Sequence, residues 1–350
     1  MSTYLPFFSV VLSTYNGSKT LVAAIESLIN QSYPKDKFEI IVVDDGSTDN
    51  TYNIAKSYNL TIYRHDTNLG LSSGRNTGLN HAKGDVYVCF DDDGIAEKDW
   101  LINLAKLYSK SNIMGGGCLV KPATNSSLMD IFFNGINYAN PLALSNVESK
   151  HPVVRFLLYI IQMIENSNTS REDIYKVTEL SGASSSFKIS YLKEIGGWDE
   201  KLSGVEDLDL CIRLKKKYPE KSFYATNNTC IIHDHRLTVS EMAFYQYTRG
   251  IVKYYFYKRN NTVPPFFPFP TLYLLTIIFS WLLTKTVLIP ASLIVILPQM
   301  LYFWWVLKCF STKNLKLLLI PYIHLIYESA IILGLLTGMS KLPIYRRTIR

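Results

Sequence analysis

The sequence lacks most of the devices that hold small secreted or metal-clustered folds together. It has five cysteines, Cys89, Cys118, Cys211, Cys230 and Cys309, and no two form a Cys-x-x-Cys pair. That excludes a zinc ribbon, and the odd number speaks against a disulfide framework. The five read as small core residues. Met1 to Phe8 carries no basic stretch followed by an apolar core, so no secretory signal is expected, and the polar part of the chain is expected on the cytosolic side. No internal repeat or low-complexity tract occurs. The net charge is +7, but no basic, aromatic-interleaved stripe precedes Arg249, so nucleic acid is not an expected partner.

What is abundant is apolar sequence, 48% of residues, and it is unevenly distributed. From Thr271 to Gly338 apolar residues dominate almost every window, while the earlier part reads as an ordinary globular mixture. The expected division is a catalytic domain over residues 1–260 and a membrane region over residues 261–350. Many basic residues flank the apolar segments: Lys253, Lys258, Arg259, Lys308, Lys313, Lys316, Lys341, Arg346, Arg347 and Arg350. Contact with anionic lipid head groups accounts for that placement, and so does the marking of topology.

The first part alternates strands and helices. Phe7–Ser13 reads as a buried strand, and Thr20–Asn30 as a helix with Leu21, Ala24, Ile25 and Leu28 at helical spacing. Phe38–Val43 reads as a strand, Thr51–Tyr58 as a helix and Leu60–Arg64 as a strand. Ser72–Ala82 is helical, and Val86–Phe90 is a strand that ends in three aspartates. This is an α/β pattern: a mostly parallel sheet with helices on both faces. Ligands of such sheets sit beyond the carboxyl ends of the strands, where the polar clusters lie. Gly115–Ser181 is less regular, and Asn125, Asn166 and Asn168 fit an acceptor-side insertion there.

Five clusters carry possible chemistry. Asp91-Asp92-Asp93 brings like charges together, which is costly unless a cation such as Mg2+ or Mn2+ neutralises them. Asp44-Asp45-Gly46-Ser47 with Asp49 puts carboxylates where a base or a ribose could be held. Gly70–Gly78 is a small-residue helix start, and its Arg75 could meet a phosphate or the carboxylates. Glu206-Asp207 opens a helical run from Leu208 to Lys217, and an anionic carboxylate there could act as a general base. His233 and His235 would share one strand face, and either could complete a metal shell. Taken singly, an acidic turn, a helix cap and a structural histidine explain these pieces as well.

Together and in this order, SVVLSTYN, FEIIVVDDGSTDNT, NLGLSSGRNTGL, GDVYVCFDDDGIAEKDWL, LSGASSSFKISYLKEIGGWDE and GVEDLDLCIRL resemble the family-2 inverting glycosyltransferases with the type A fold. The matching stretches lie between about Phe8 and Arg249. The resemblance implies that Ser13, Tyr15 and Asp45 hold the nucleoside of a nucleotide-diphosphate sugar. It implies that Asp93 binds the metal directly, that Asp91 contacts the ribose or a metal-bound water, and that Asp92 fills the variable middle position of the family's DXD motif. Arg75 would stabilise the donor side. Asp207 would be the base with Glu206 as its support, and Trp198 would border the acceptor pocket. The sequence departs from many relatives in having Gln246 and Arg249 but no full Gln-x-x-Arg-Trp motif, so a single transfer is expected and not polymer synthesis.

The tail suggests a hairpin of two short spans, Thr271–Thr284 and Val287–Leu307, around Lys285. Leu315–Leu336 is interrupted by Pro321, His324 and Glu328 and is expected to lie at the interface, which keeps the basic clusters inside. The chain is thus expected to be a multi-pass protein of the cell membrane with a cytoplasmic catalytic domain. A membrane anchor beside a transferase site points to a lipid-linked acceptor. Two alternatives stand beside this reading: a polyprenyl-phosphate glycosyltransferase, which needs no base, and a catalytically silent membrane scaffold.

Overall fold

The computed structural model describes residues 5–123, 127–136, 173–202, 204–233, 238–261 and 268–340. Asn125, Asn166, Asn168, His235 and the basic residues from Lys341 onward lie outside them.

The strand β1 (Phe8–Thr14) is buried along its whole length, as its apolar sequence requires of a central strand. It is flanked in parallel by β2 (Phe38–Asp44) and β4 (Val86–Asp91), and β3 (Thr61–Arg64) pairs in parallel with β2. The helices between them are α1 (Leu21–Ile29), α2 (Thr51–Ser57) and α3 (Leu71–His81). In α1 the buried residues are Leu21, Ala24, Ile25 and Leu28, the stripe read from the sequence. Alternate residues of β1 feed two cores. Phe8, Val10 and Leu12 pack with α1 and with α4 (Trp100–Leu107), while Val11 packs on the other face with Leu79, Leu192 and Leu210.

The expected mostly parallel sheet is in fact mixed. The strands β5 (Gly94–Ala96), β6 (Ile113–Pro122), β7 (Ile174–Val177), β8 (Ser185–Lys188) and β9 (Ser222–His233) complete it in the order β3-β2-β1-β4-β8-β6-β9-β5, with β7 also on β9. β8 runs antiparallel to both β4 and β6, and β5 and β7 run antiparallel to β9. The reason the pattern hid this is chemical. Ser185 and Ser186 of β8 are fully buried serines, so no apolar run marks the strand. Ser186 accepts from Tyr108 at 2.8 Å and donates to the Gly116 carbonyl at 2.9 Å, which satisfies its hydroxyl.

Two helices follow β8 on the way to β9: α6 (Ile189–Glu194) and α7 (Glu206–Lys217). After β9 comes α8 (Val239–Arg259), started by a capping box between Thr238 and Glu241. The apolar region holds α9 (Pro268–Thr284), α10 (Leu288–Leu301), α11 (Phe303–Thr312) and α12 (Ile320–Met339). Its core mixes both sides of the expected boundary at residue 260. Phe132 of α5 (Leu128–Gly135) and Met242 of α8 pack with Tyr302, Trp304, Trp305 and Ile320.

The helix lengths do not give the expected pair of spans. The second candidate is bent by 68° between α10 and α11. The bend turns Tyr302 inward, where its hydroxyl donates to Glu328 at 2.7 Å, and Trp305 donates to His324 at 3.0 Å. The polar residues that interrupted the third candidate are therefore buried partners of that bend. α12 with its lead-in turn, Leu315–Met339, is the one single helix among the described residues long and apolar enough to cross a membrane. α9 is shorter, and α10 with α11 passes only as a bent pair.

Candidate active site

Register sets the site. Ser13 lies opposite Asp91, and Thr14 lies opposite Asp44, so three strand ends meet at one edge of the sheet. The chain turns through Asp92 and Asp93 into β5, whose Gly94 pairs with His233 at the end of β9. This antiparallel pairing brings a histidine from far along the sequence onto the aspartates. His233 Nε2 is 3.0 Å from Asp93 Oδ1 and 3.9 Å from Asp91 Oδ2. One ligand atom from each of Asp91, Asp93 and His233 lies within 4.8 Å of the others. A cation bound at about 2.1 Å holds neighbouring ligand atoms about 3 Å apart and opposite ones about 4 Å apart, so the spacing fits an ion. Burial alone would lower the His233 pKa, but hydrogen bonds and charge from Asp91 and Asp93 raise it to about 10. Burial would raise Asp91, yet His233 and Arg75 hold it below the usual carboxylate range.

Arg75 is the hub. It projects from α3, is 2% exposed, and its guanidinium reaches three carboxylates. Nη1 is 2.7 Å from Asp207 Oδ1 and 3.6 Å from Glu206 Oε1, and Nη2 is 3.5 Å from Asp91 Oδ1. Burial works against the charge, but Asp207 and its neighbours keep the pKa well above the ordinary arginine value. Glu206 and Asp207 form the first turn of α7, so the helix starts two residues earlier than its apolar pattern suggested. Asp207 Oδ2 accepts from the Gly182 N–H at 2.9 Å. A Cβ at Gly182 would lie 2.3 Å from Arg75 Nη2 and 2.5 Å from Asp207 Oδ2, so only glycine lets the loop come this close. Burial, then the charge of Asp207, raises the pKa of Glu206.

The remaining expected residues take varied positions. Asp45 is buried and accepts from the backbone N–H groups of Leu69 and Gly70 at 2.9 and 2.8 Å, and it pairs with His65 at 2.7 Å. It thereby shapes the loop leading into α3. Ser13 is buried, and its hydroxyl has no hydrogen-bond partner among the described residues. Tyr15 is half-buried beyond the end of β1. Asp92 accepts from the Thr14 hydroxyl and lies against Gly17, away from the metal-type cluster. Trp198, expected beside an acceptor, is 2% exposed. It packs on Tyr87 and Phe187 and carries Arg75 over its ring at 5.9 Å, so it supports the hub from within the core.

Four further residues, three of them named from the sequence without a site role, lie beyond the Glu206–Asp207 turn. Arg249 Nε donates to the Gly204 carbonyl at 2.8 Å, just before Glu206. Gln246 is 1% exposed, and neither its amide oxygen nor its nitrogen has a partner among the described residues. Burial lowers the Lys253 pKa to about 7, with Arg249 adding to it and Glu179 opposing. Burial raises the Glu179 pKa to about 7; Lys253 opposes this and Asp207 adds to it. The sequence signals were the Gln-x-x-Arg spacing, read as an incomplete motif and hence as a sign of single transfer, and Lys253 among the basic residues beside the apolar segments; Glu179 had none.

A mixed sheet whose strand ends carry this double carboxylate cluster defines a protein of the type A glycosyltransferase fold. The sequence gives the family. Glycosyl transferase family 2 matches residues 9–196, more than half of the chain, and the chain belongs to that family. It is 35% identical over 106 residues to glycosyltransferase AglE of Haloferax volcanii, covering 29% of this chain and 35% of that protein. It is 30% identical over 111 residues to a dolichyl N-acetyl-alpha-D-glucosaminyl phosphate 3-beta-D-2,3-diacetamido-2,3-dideoxy-beta-D-glucuronosyltransferase of Methanococcus voltae, covering 30% and 34%. The matches thus span about a third of these relatives. Among solved structures, the mannosyltransferase PcManGT of Pyrobaculum calidifontis, in complex with GDP-Man and Mn2+, superposes with a TM-score of 0.57 at 17% identity, over 97% of this chain and 89% of that one.

Proposed function

We propose that this chain is a metal-dependent inverting glycosyltransferase that moves a sugar from a nucleotide-diphosphate sugar to a hydroxyl of a lipid-linked saccharide. The observation that carries the reading is Arg75, which holds Asp91 on one side and Asp207 on the other. One guanidinium thereby fixes the spacing between a donor-side and an acceptor-side carboxylate.

In this reading Asp207 takes the proton of the acceptor hydroxyl. Its two oxygens are oriented by Arg75 and Gly182, and its side chain stays 22% exposed, open to a substrate. The acceptor oxygen attacks the anomeric carbon from the face opposite the diphosphate, which leaves, and the configuration inverts. Arg75 pairs with Asp207 and stays charged beside the leaving group. Asp91, Asp93 and His233 would hold Mn2+ or Mg2+, which when bound supplies positive charge for the departing diphosphate. An imidazole in the set favours Mn2+, since Mg2+ prefers oxygen ligands. The complex of the mannosyltransferase with GDP-Man and Mn2+ supports a donor and an ion of these classes.

A lipid-linked acceptor is supported by the name of the methanococcal relative, which acts on a dolichyl sugar phosphate. It is also supported by the apolar surface of α9 and α10, where Leu283 is 69% and Leu288 83% exposed. We place the protein at the cell membrane with its catalytic domain on the cytoplasmic side. The test is Asp207→Asn, which keeps the shape but cannot take the proton. Turnover should fall about 10²–10⁴-fold with donor binding little changed. Near-wild-type turnover would remove the base and favour an acceptor that is already an anion, such as a polyprenyl phosphate.

A further inference from the structure

Gln246, Arg249 and Lys253 stand at positions i, i+3 and i+7 of α8 and so share one face of that helix. One flank of this strip is occupied. Gly250 lies against Gly334, and Tyr254 lies against Gly338, so that side is packed on α12. A third side carries Phe256 and Val252, which pack with Leu202 and Val205. The strip of three polar residues lies between these packed sides. Its middle member, Arg249, touches Gly204, next to the Glu206–Asp207 turn. From Gln246 to Lys253 the strip is about 10 Å long, from the helical rise of about 1.5 Å per residue.

Two features of the strip lack an internal explanation. The buried amide of Gln246 makes no hydrogen bond among the described residues, although buried amides are normally paired. Lys253 makes no ion pair within 4.0 Å among the described residues, although it is half-buried and lies in the field of Glu179. Both groups therefore have bonding capacity left for a ligand: an amide that can bond sugar hydroxyls, and an ammonium that can bond an anion. α8 then continues from Lys253 to Arg259, where the chain leaves for the apolar helices. A lipid-linked substrate coming from that end would meet Lys253 before Gln246.

We propose that this face of α8 is the acceptor subsite, in which Gln246 bonds the sugar near Asp207 and Lys253 binds the phosphate that joins that sugar to its lipid. The inference rests on the proposed transfer to a lipid-linked saccharide and adds the chemistry by which that acceptor is read. Here the phosphate positions the acceptor and a sugar hydroxyl reacts. Lys253 is thus a specificity-determining residue, and it takes no part in bond making.

The test is a binding measurement that does not depend on turnover. The full chain in detergent is titrated with citronellyl phosphate, citronellol and inorganic phosphate, with protein fluorescence as the readout. Citronellyl phosphate should bind at least about tenfold more tightly than either other probe. Lys253→Met should weaken it about 10- to 100-fold, the loss expected for one charge-assisted hydrogen bond. Lys253→Arg should stay within a few-fold of wild type, and citronellol binding should not change. Equal binding of citronellol, or no loss in Lys253→Met, would overturn the phosphate assignment. Tight binding of inorganic phosphate alone would overturn the lipid part. If Lys253→Met does not fold, Lys253→Gln gives the same reading. Asp207→Asn should bind citronellyl phosphate normally, so failure of the proposed base leaves this result readable on its own.

Discussion

Replacing Arg75 tests the hub directly. Arg75→Met leaves Asp207, Glu206 and Asp91 without their common cation in a site where the guanidinium is 3% exposed. Removing one partner of a buried ion pair typically costs about 3–5 kcal/mol, because the remaining charge stays buried without compensation. Here the loss should fall near the lower end, since Asp207 and Asp91 are 22% and 25% exposed and water can reach them. Arg75→Lys should recover only part of it. A lysine presents one point charge, whereas the guanidinium serves Asp207 through Nη1 and Asp91 through Nη2. Denaturant unfolding of the full chain in detergent, followed by near-ultraviolet circular dichroism, gives the comparison. The Arg75→Met/Asp207→Asn double variant completes the cycle and should be more stable than the sum of the single changes, because the second removes the charge stranded by the first. If Arg75→Met unfolds within about 1 kcal/mol of wild type, or if the two changes add, the hub is not an electrostatic device and the link between the two carboxylate sets fails.

Two further outcomes follow from the metal-type cluster and the helix crossing. The His233 pKa is raised from 6.5 to about 10 by the aspartates, so in the metal-free protein this pairing stabilises fully below about pH 6.5 and is lost as pH rises through about 10. The same proton must leave before the imidazole can ligate, so Mn2+ affinity, measured by paramagnetic resonance titration between pH 6 and 8.5, should rise about tenfold per pH unit, and His233→Asn should flatten that slope. A pH-independent affinity in the wild type would remove His233 from the ligand set. Gly334→Ala should destabilise the chain, against the usual gain from alanine in a helix, because its Cβ would lie 2.0 Å from the Tyr247 carbonyl oxygen. Limited proteolysis should then release α12, and unchanged resistance would argue against a tight crossing.

The first half of the fold was legible because it is built by the simplest rule. β1, β2 and β4 are apolar runs, α1 carries a clean helical stripe, and each strand end is marked by polar residues. The return strand β8 was not legible, since two of its buried positions are serines, and the hydrogen-bond partners of Ser186 meet it only in the folded chain. In the site, the motif residues Asp91, Asp93, Arg75 and Asp207 could be named in advance, but their mutual distances could not. The contact of His233 with Asp93 depends on antiparallel pairing of β5 with β9. Lys253 was read only as one of the basic residues flanking the apolar segments, and Glu179 was not singled out, because a lysine in an aromatic-rich helix and a glutamate in a loop look ordinary until folding brings them together. Trp198 shows the converse: an aromatic next to a motif looks like a binding platform, and here its ring is buried with Arg75 over it.

The shared core around Phe132 has a practical meaning for anyone handling this protein. α12 lies backbone to backbone on α8 at Gly250 and Gly334, and Trp305 of α11 fills the space over Gly135. A gene shortened at residue 260 would leave Phe132, Met242 and the glycine face of α8 bare to water, and α8 is the helix that carries Arg249 and Lys253. The apolar tail is therefore a wall of the enzyme. A water-soluble version is better sought by replacing the outward leucines of α9 and α10, which the folded chain leaves exposed, than by cutting the chain.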